Sequence, residues 1–275
     1  MTDQPLLSVR DLSVSVVGST LIRDLGFTLG RERLGLVGES GSGKSTTGRA
    51  IIGLLPRQLR VRAAELAFDG IDLTALDEPG WVALRGRRIG MILQDPIQAL
   101  NPVMTVGRQI AETYRMHFGG SARTARDAAL AMLERVHIRD PVRVAGLYAH
   151  QISGGMGQRV MIACALIAEP DLLIADEPTS ALDATVQNQI LKLLDELVRE
   201  RGLALILISH NLPLVASFCD RVLVMYGGRI VETCPANELA GAQHPYTRGL
   251  IAAIPSLRHP RAELPQLQRD PAWLL

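Results

Sequence analysis

Apolar residues recur along this chain with two periods. Leu7 to Val17 alternates loosely, and Leu21 to Leu29 reads as a second strand region, so a β-rich N-terminal edge is predicted. Leu34-Gly35-Leu36-Val37 is a short apolar run, followed after Ser45 by a segment, Thr46 to Ile52, that can be helical. Leu66-Ala67-Phe68 predicts a strand closing in an Asp69-Gly70 turn. Trp81 to Arg88 reads as a short helix, and Ile89 to Leu93 as a strand ending in Gln94-Asp95-Pro96. From about Asn101 to Ala149 the texture becomes Ala-, Arg- and Met-rich. There Val106–Phe118 and Arg123–Val136 have helical spacing, with Ala128, Ala129, Met132, Leu133 and Val136 on one stripe. Gln158 to Ala168 predicts a helix stopped by Glu169-Pro170, and Leu172 to Ala175 a buried strand. Val186, Ile190, Leu193, Leu194, Leu197 and Val198 form an amphipathic helix closed by Gly202. Leu203 to Ile208 is another apolar strand, and Val222–Met225, Gly227-Gly228 and Arg229–Val231 read as a hairpin. Beyond Ile254 prolines appear without periodicity, which predicts an extended or loosely packed tail. Short apolar strands alternating with helices predict an α/β fold with a mostly parallel sheet covered on both faces.

Composition narrows the function classes. The chain has 275 residues, 47% of them apolar, enough for a substantial core. With 29 basic and 28 acidic residues the net charge is +1, and aromatics make up 4%, which argues against nucleic acid as a partner. Cys164, Cys219 and Cys234 are far apart and never in C-x-x-C spacing, so neither a disulfide framework nor a zinc site is expected. The first residues, Met1 to Pro5, lack the pattern of a signal peptide. The longest apolar run, Val160 to Ala168, falls far short of a membrane span, so work at a membrane would go through partners.

Three stretches carry chemistry. Gly38-Glu39-Ser40-Gly41-Ser42-Gly43-Lys44-Ser45 fits G-x-x-x-x-G-K-[ST] between a strand and a helix. The glycines let backbone N–H groups converge on a phosphate, and the helix adds the positive end of its dipole. Lys44 reaches the outer phosphates, the Ser45 hydroxyl can ligate Mg²⁺, and Thr46 belongs to the same phosphate-binding set. Asp176 and Glu177 end an apolar strand. Asp176 suits Mg²⁺, directly or through water, and Glu177 suits polarisation of an attacking water. Ser153-Gly154-Gly155 opens a predicted helix and is a second anion site, redundant for a nucleotide already cradled by the first loop, which suggests a nucleotide on a second subunit. His210 ends an apolar strand and is a candidate γ-phosphate contact.

With these residues in order, the chain resembles the ATP-binding subunits of ABC transporters over roughly residues 6–254. Gly38–Ser45 matches the Walker A loop, Gln94 the Q-loop, Ser153–Gly157 the signature, and Asp176 and Glu177 the Walker B aspartate and catalytic glutamate. Ser180-Ala181-Leu182-Asp183 matches the D-loop and His210 the switch histidine. The resemblance implies a P-loop NTPase core with an N-terminal antiparallel β subdomain and a helical subdomain at about 96–160, followed by a tail, 255–275. It implies catalytic roles for Glu177, His210 and Gln94, Mg²⁺ held by Ser45, Gln94 and Asp176, and signature and D-loop residues, Asp183 included, shared with a partner's ATP. Gln151–Ala163, Ala175–Asp183 and His244-Pro245-Tyr246-Thr247-Arg248-Gly249-Leu250 resemble the dipeptide, oligopeptide and nickel importers in particular. Such importers imply two permeases, a second ATPase subunit (a distinct paralogue or a second copy), a periplasmic binding protein acting indirectly, and a peripheral place on the cytoplasmic face of the inner membrane.

There are departures. Ile152 replaces the first signature leucine, Gly157 stands where Arg or Gln is common, and Val16 or Val17 falls where relatives stack an aromatic on adenine. No Cys follows Cys234, so no iron–sulfur cluster is expected, which tilts the reading toward shorter nickel- or metallophore-type members. The competing readings are a soluble ABC ATPase of repair or translation and a small-molecule kinase. The first lacks a second cassette here, and the second has no use for the Ser-Gly-Gly turn or the D-loop.

Overall fold

The computed structural model describes residues 4–180, 182–254, 270 and 273, with backbone alone at Ile97 and Gln98. They form two compact units, Met1–Leu76 with Ile206–Leu275, and Asp77–Leu205.

In the first unit, β1 (Leu7–Val16) pairs antiparallel with β2 (Ser19–Leu29), Leu7 opposite Leu29 and Val14 opposite Ile22. The loose alternation of β1 has a cause. Its register shifts on both sides of Leu12, and Asp11 takes a φ of 52°. The extra residue of a bulge moves the buried set to Leu7, Val9, Leu12 and Val14. β3 (Arg33–Val37) is buried from Leu34 onward and leads through the glycine loop into α1 (Lys44–Ile51). β4 (Arg60–Arg62) and β5 (Glu65–Phe68) both pair with β1, and β6 (Ile71–Asp72) pairs with β5 across Asp69-Gly70, both in the left-handed region as a two-residue hairpin demands.

In the second unit, α2 (Glu78–Leu84) starts where Asp77 accepts the Gly80 amide, and it ends before the expected Arg88. β7 (Ile89–Ile92) runs parallel to β8 (Leu172–Asp176), Ile89 opposite Leu172 and Ile92 opposite Ala175. Between them lie α3 (Pro96–Ala99), α4 (Val106–Phe118), α5 (Ala122–Arg135), α6 (Pro141–Ala145) and α7 (Gly154–Leu166). α5 buries Ala125, Ala129, Met132 and Leu133. Ala128 is only half-buried, because Ala125, one turn before Ala129, takes the inner place. α8 (Ala184–Arg201) ends at Gly202, whose φ of 65° forms the left-handed cap the sequence signals.

β9 (Ala204–Ile208) returns the chain to the first unit, completed by α9 (Leu212–Phe218), β10 (Arg221–Tyr226), β11 (Arg229–Pro235) and α10 (Pro245–Ala252). Strand order there is β11-β10-β3-β9, with β10 parallel to β3 and antiparallel to β11. Leu34, Val37, Ile208 and Val222 to Met225 are at most 1% exposed, so these strands are core on both faces, as their unbroken apolar runs require. The fold is therefore α/β, with parallel strands between helices and an antiparallel sheet at the N-terminus. Apart from Asp270 and Trp273, the tail beyond Ile254 lies outside the described residues, as does Ala181 of the D-loop match.

Candidate nucleotide-binding site

β3 ends by releasing the chain into Gly38–Gly43, and α1 begins at Lys44. Three loop glycines, Gly38, Gly41 and Gly43, take positive φ, and at two of them space is short as well. Gly38 has φ 149°, and a Cβ there would lie 2.2 Å from the Met225 carbonyl oxygen. Gly43 has φ 106°, and a Cβ there would meet the Ile22 side chain at 2.5 Å. Gly43 is also the N-cap of α1 and brings no side chain to accept a first-turn amide, which suits the helix N-terminus to an external anion. Lys44 is 7% exposed. Its Nζ donates to the Gly38 and Glu39 carbonyl oxygens, each at 2.8 Å, and to Ser42 Oγ at 3.4 Å. The ammonium thus lies folded across its own loop. Ser40 and Gly41 form the exposed rim, and Ser45 and Thr46 are half-buried in the first turn. Ser209 N donates to the Leu36 carbonyl at 3.2 Å, so exposed His210 leaves β9 beside the strand that feeds the loop.

The second unit gathers the acids and the Ser-Gly-Gly turn. β8 is buried throughout, so Asp176 is 0% exposed, while Glu177 is half-buried. Glu177 takes a φ of 53°, a strained left-handed conformation for a residue with a side chain. The Glu177 carbonyl accepts from the Ser180 hydroxyl at 3.1 Å, closing the turn after the strand. Gln158, 0% exposed, donates from Nε2 to the Pro178 carbonyl at 2.8 Å, tying α7 to that turn. Gln94, exposed, leaves β7, the parallel neighbour of β8, so it emerges at the same sheet edge as Asp176.

Ser153 caps α7 by accepting the Met156 amide at 3.3 Å, and Asp183 caps α8 by accepting Thr185 and Val186 amides at 3.0 and 3.1 Å. Both face a cavity of about 420 Å³ that also touches Gly155, Arg159, Arg139 and Arg143. Burial pushes the Arg159 pKa down, Asp183 opposes that, and Arg139 adds to it. The Ser-Gly-Gly turn is therefore set beside three arginines, with Asp140 and Asp183 among them.

Burial pushes the Cys164 and Cys219 thiols up to about 12, and Cys234 shifts in the same direction through burial and the neighbouring Glu232 and Glu238. All three cysteines are free. One group near the loop escaped the sequence reading of the site. The Tyr246 hydroxyl accepts the Glu39 N–H at 2.9 Å across 207 positions. The only signal for it was the His-Pro-Tyr-Thr stretch, which carries no hydrophobic period.

An α/β fold in which a parallel strand passes through this glycine loop into a helix defines a P-loop nucleotide-binding protein. Comparison with known proteins narrows the class. The ABC transporter family model matches residues 22–180. A Brucella melitensis biotype 1 protein, provisionally named a peptide import ATP-binding protein, is 47% identical over 96% of this chain and 81% of its own length. A Sinorhizobium fredii protein, provisionally named a peptide ABC transporter ATP-binding protein, is 47% identical over 95% of this chain and 81% of its own. Among solved structures, a dimeric ATP-binding cassette in a post-hydrolysis state with ADP and Pi superposes with a TM-score of 0.75 at 26% identity, over 84% of this chain and 98% of that one. CbiO1 of Clostridium perfringens, part of an ABC transporter complex, gives 0.72 at 26% identity, over 86% of this chain and 91% of that one. The chain belongs to the ABC transporter family and is an ATP-binding ATPase subunit of it.

Proposed function

We propose that this chain powers a peptide importer from the cytoplasmic face of the inner membrane, bound to two permeases and to a second ATPase subunit. The observation that carries the reading is 47% identity over nearly the whole chain to a relative named for peptide import. The names of the relatives favour peptides over a nickel or metal-chelate cargo. Among the described residues no helix is long and apolar enough to cross a membrane, which agrees with a peripheral subunit.

Lys44, Ser45, Thr46 and the loop amides hold the phosphates. Glu177 orients the attacking water, Gln94 adjoins the metal and His210 supports the γ-phosphate. Ser153, Gly154, Gly155 and Asp183 serve the ATP held by the partner ATPase. The Ser45 hydroxyl, Gln94 amide oxygen and Asp176 carboxylate are all hard oxygen donors, a set that fits Mg²⁺, which when bound would neutralise charge on the outer phosphates. In this arrangement catalysis is positioning and charge stabilisation. The helices from α3 to α6, within the segment 96–160, take the permease. Their entry, Pro96 to Met104, includes Val103 at 79% exposure, an apolar side chain offered to solvent.

The test is Glu177→Gln in the assembled complex. ATP binding is retained and the closed dimer accumulates, while hydrolysis falls roughly 10²–10⁴-fold. Unchanged ATPase activity would sink the assignment.

A further inference from the structure

The His-Pro-Tyr-Thr stretch has no part in the roles just given, and the structure assigns it one that rests on the ATP-binding reading of the loop. We propose that Tyr246 is a positioning residue for the phosphate loop: its hydroxyl sets the Gly38–Glu39 peptide and, through it, Lys44.

α10 opens on this stretch. His244 Nδ1 accepts the Tyr246 amide at 3.2 Å, and Pro245 occupies the first turn, where its missing N–H costs nothing. Glu232 of β11 accepts the Gln243 and His244 amides at 2.6 and 3.3 Å and so pins the start of the helix to the hairpin. The Tyr246 ring is 0% exposed and packs against Tyr226 and Trp273, with centroids 4.5 and 5.9 Å away. A ring held this firmly delivers its hydroxyl to one place, the Glu39 N–H at 2.9 Å.

The consequence follows from the peptide bond. The Glu39 N–H and the Gly38 C=O belong to one planar unit and point in opposite directions. Fixing the N–H fixes the carbonyl, and that carbonyl accepts Lys44 Nζ at 2.8 Å. Gly38 has no side chain to hold its own backbone, and its φ of 149° lies where other residues rarely go. The hydroxyl from α10 supplies the restraint that glycine lacks. The chain of contacts runs from Glu232 through α10 to Tyr246, then to the peptide and the lysine that meets the outer phosphates.

The experiment is Tyr246→Phe in the full chain, which keeps the ring and removes only the hydroxyl. The readouts are equilibrium binding of a fluorescent ATP analogue and thermal unfolding. Affinity is expected to fall about five- to tenfold, the worth of one neutral hydrogen bond, with Tm within about 4 °C of the parent. Tyr226→Phe, which removes a hydroxyl from the same aromatic cluster without touching Glu39, should bind as the parent does. Parent-like affinity in Tyr246→Phe, or an equal loss in Tyr226→Phe, overturns the proposal. A parent chain that binds no ATP analogue would instead overturn the ATP-binding reading on which it rests.

Discussion

Two glycine-containing turns in this molecule each open a helix, and they use glycine for opposite reasons. In the loop before α1, Gly38 and Gly43 sit at positive φ, and an added Cβ would strike Met225 or Ile22. Their side chains are excluded by the protein's own interior. At the start of α7, Gly154 is exposed, has no positive φ, and an added Cβ would meet nothing within 4 Å. Among the described residues nothing requires glycine there. The caps differ in the same sense. α1 begins at a residue with no side chain, leaving its cap to an incoming anion, whereas α7 carries Ser153 as its own cap. On the proposed function, the first turn is completed by a phosphate of the chain's own nucleotide. The second is already complete, and its smallness matters only to something approaching from outside.

Substitutions can break this contrast. The largest expected effect on stability is Gly38→Ala, which forces a Cβ against the Met225 carbonyl and should cost about 2–3 kcal/mol in urea unfolding, with loss of ATP binding. Ser153→Ala removes a helix cap, so about 1 kcal/mol is expected in the same assay, with ATP binding by the isolated chain intact. Gly154→Ala should be the mildest. Unfolding should shift by less than about 0.5 kcal/mol and ATP affinity should stay that of the parent, while ATPase activity of the assembled complex falls. If Gly154→Ala instead unfolds the chain as Gly38→Ala does, the two turns are not different in kind.

Much of this was legible in the sequence where local pattern and tertiary demand agree. α4 has the bounds its spacing predicts, and Gly202 ends α8 because only a left-handed residue can close that turn. The loop between β3 and α1 was legible because its backbone demands glycine at Gly38 and Gly43, which the motif places there. Elsewhere the pattern was overruled. α7 starts at Gly154, ahead of the expected Gln158, because the Ser153 cap outweighs the poor helical propensity of Gly154, Gly155 and Gly157. β4 is exposed throughout and carries no apolar signal. It is a strand because Val61 lies opposite Val14 of β1. The bulges of β1 blurred its alternation. Tyr246 was invisible as a loop contact because nothing local to residue 246 encodes a partner 207 positions away.

The cysteines have a practical consequence. Burial pushes the Cys164 and Cys219 thiols up to about 12, so the reactive thiolate of either is scarce at neutral pH. Thiol-directed dyes and crosslinkers should therefore mark both slowly, and half-buried Cys234 is the native thiol to replace first. A single cysteine introduced at Val103, 79% exposed, would stand out against that quiet background. With Cys234 replaced, the chain is suited to mapping, by the loss of label at one position, whatever settles on the entry to the helical segment.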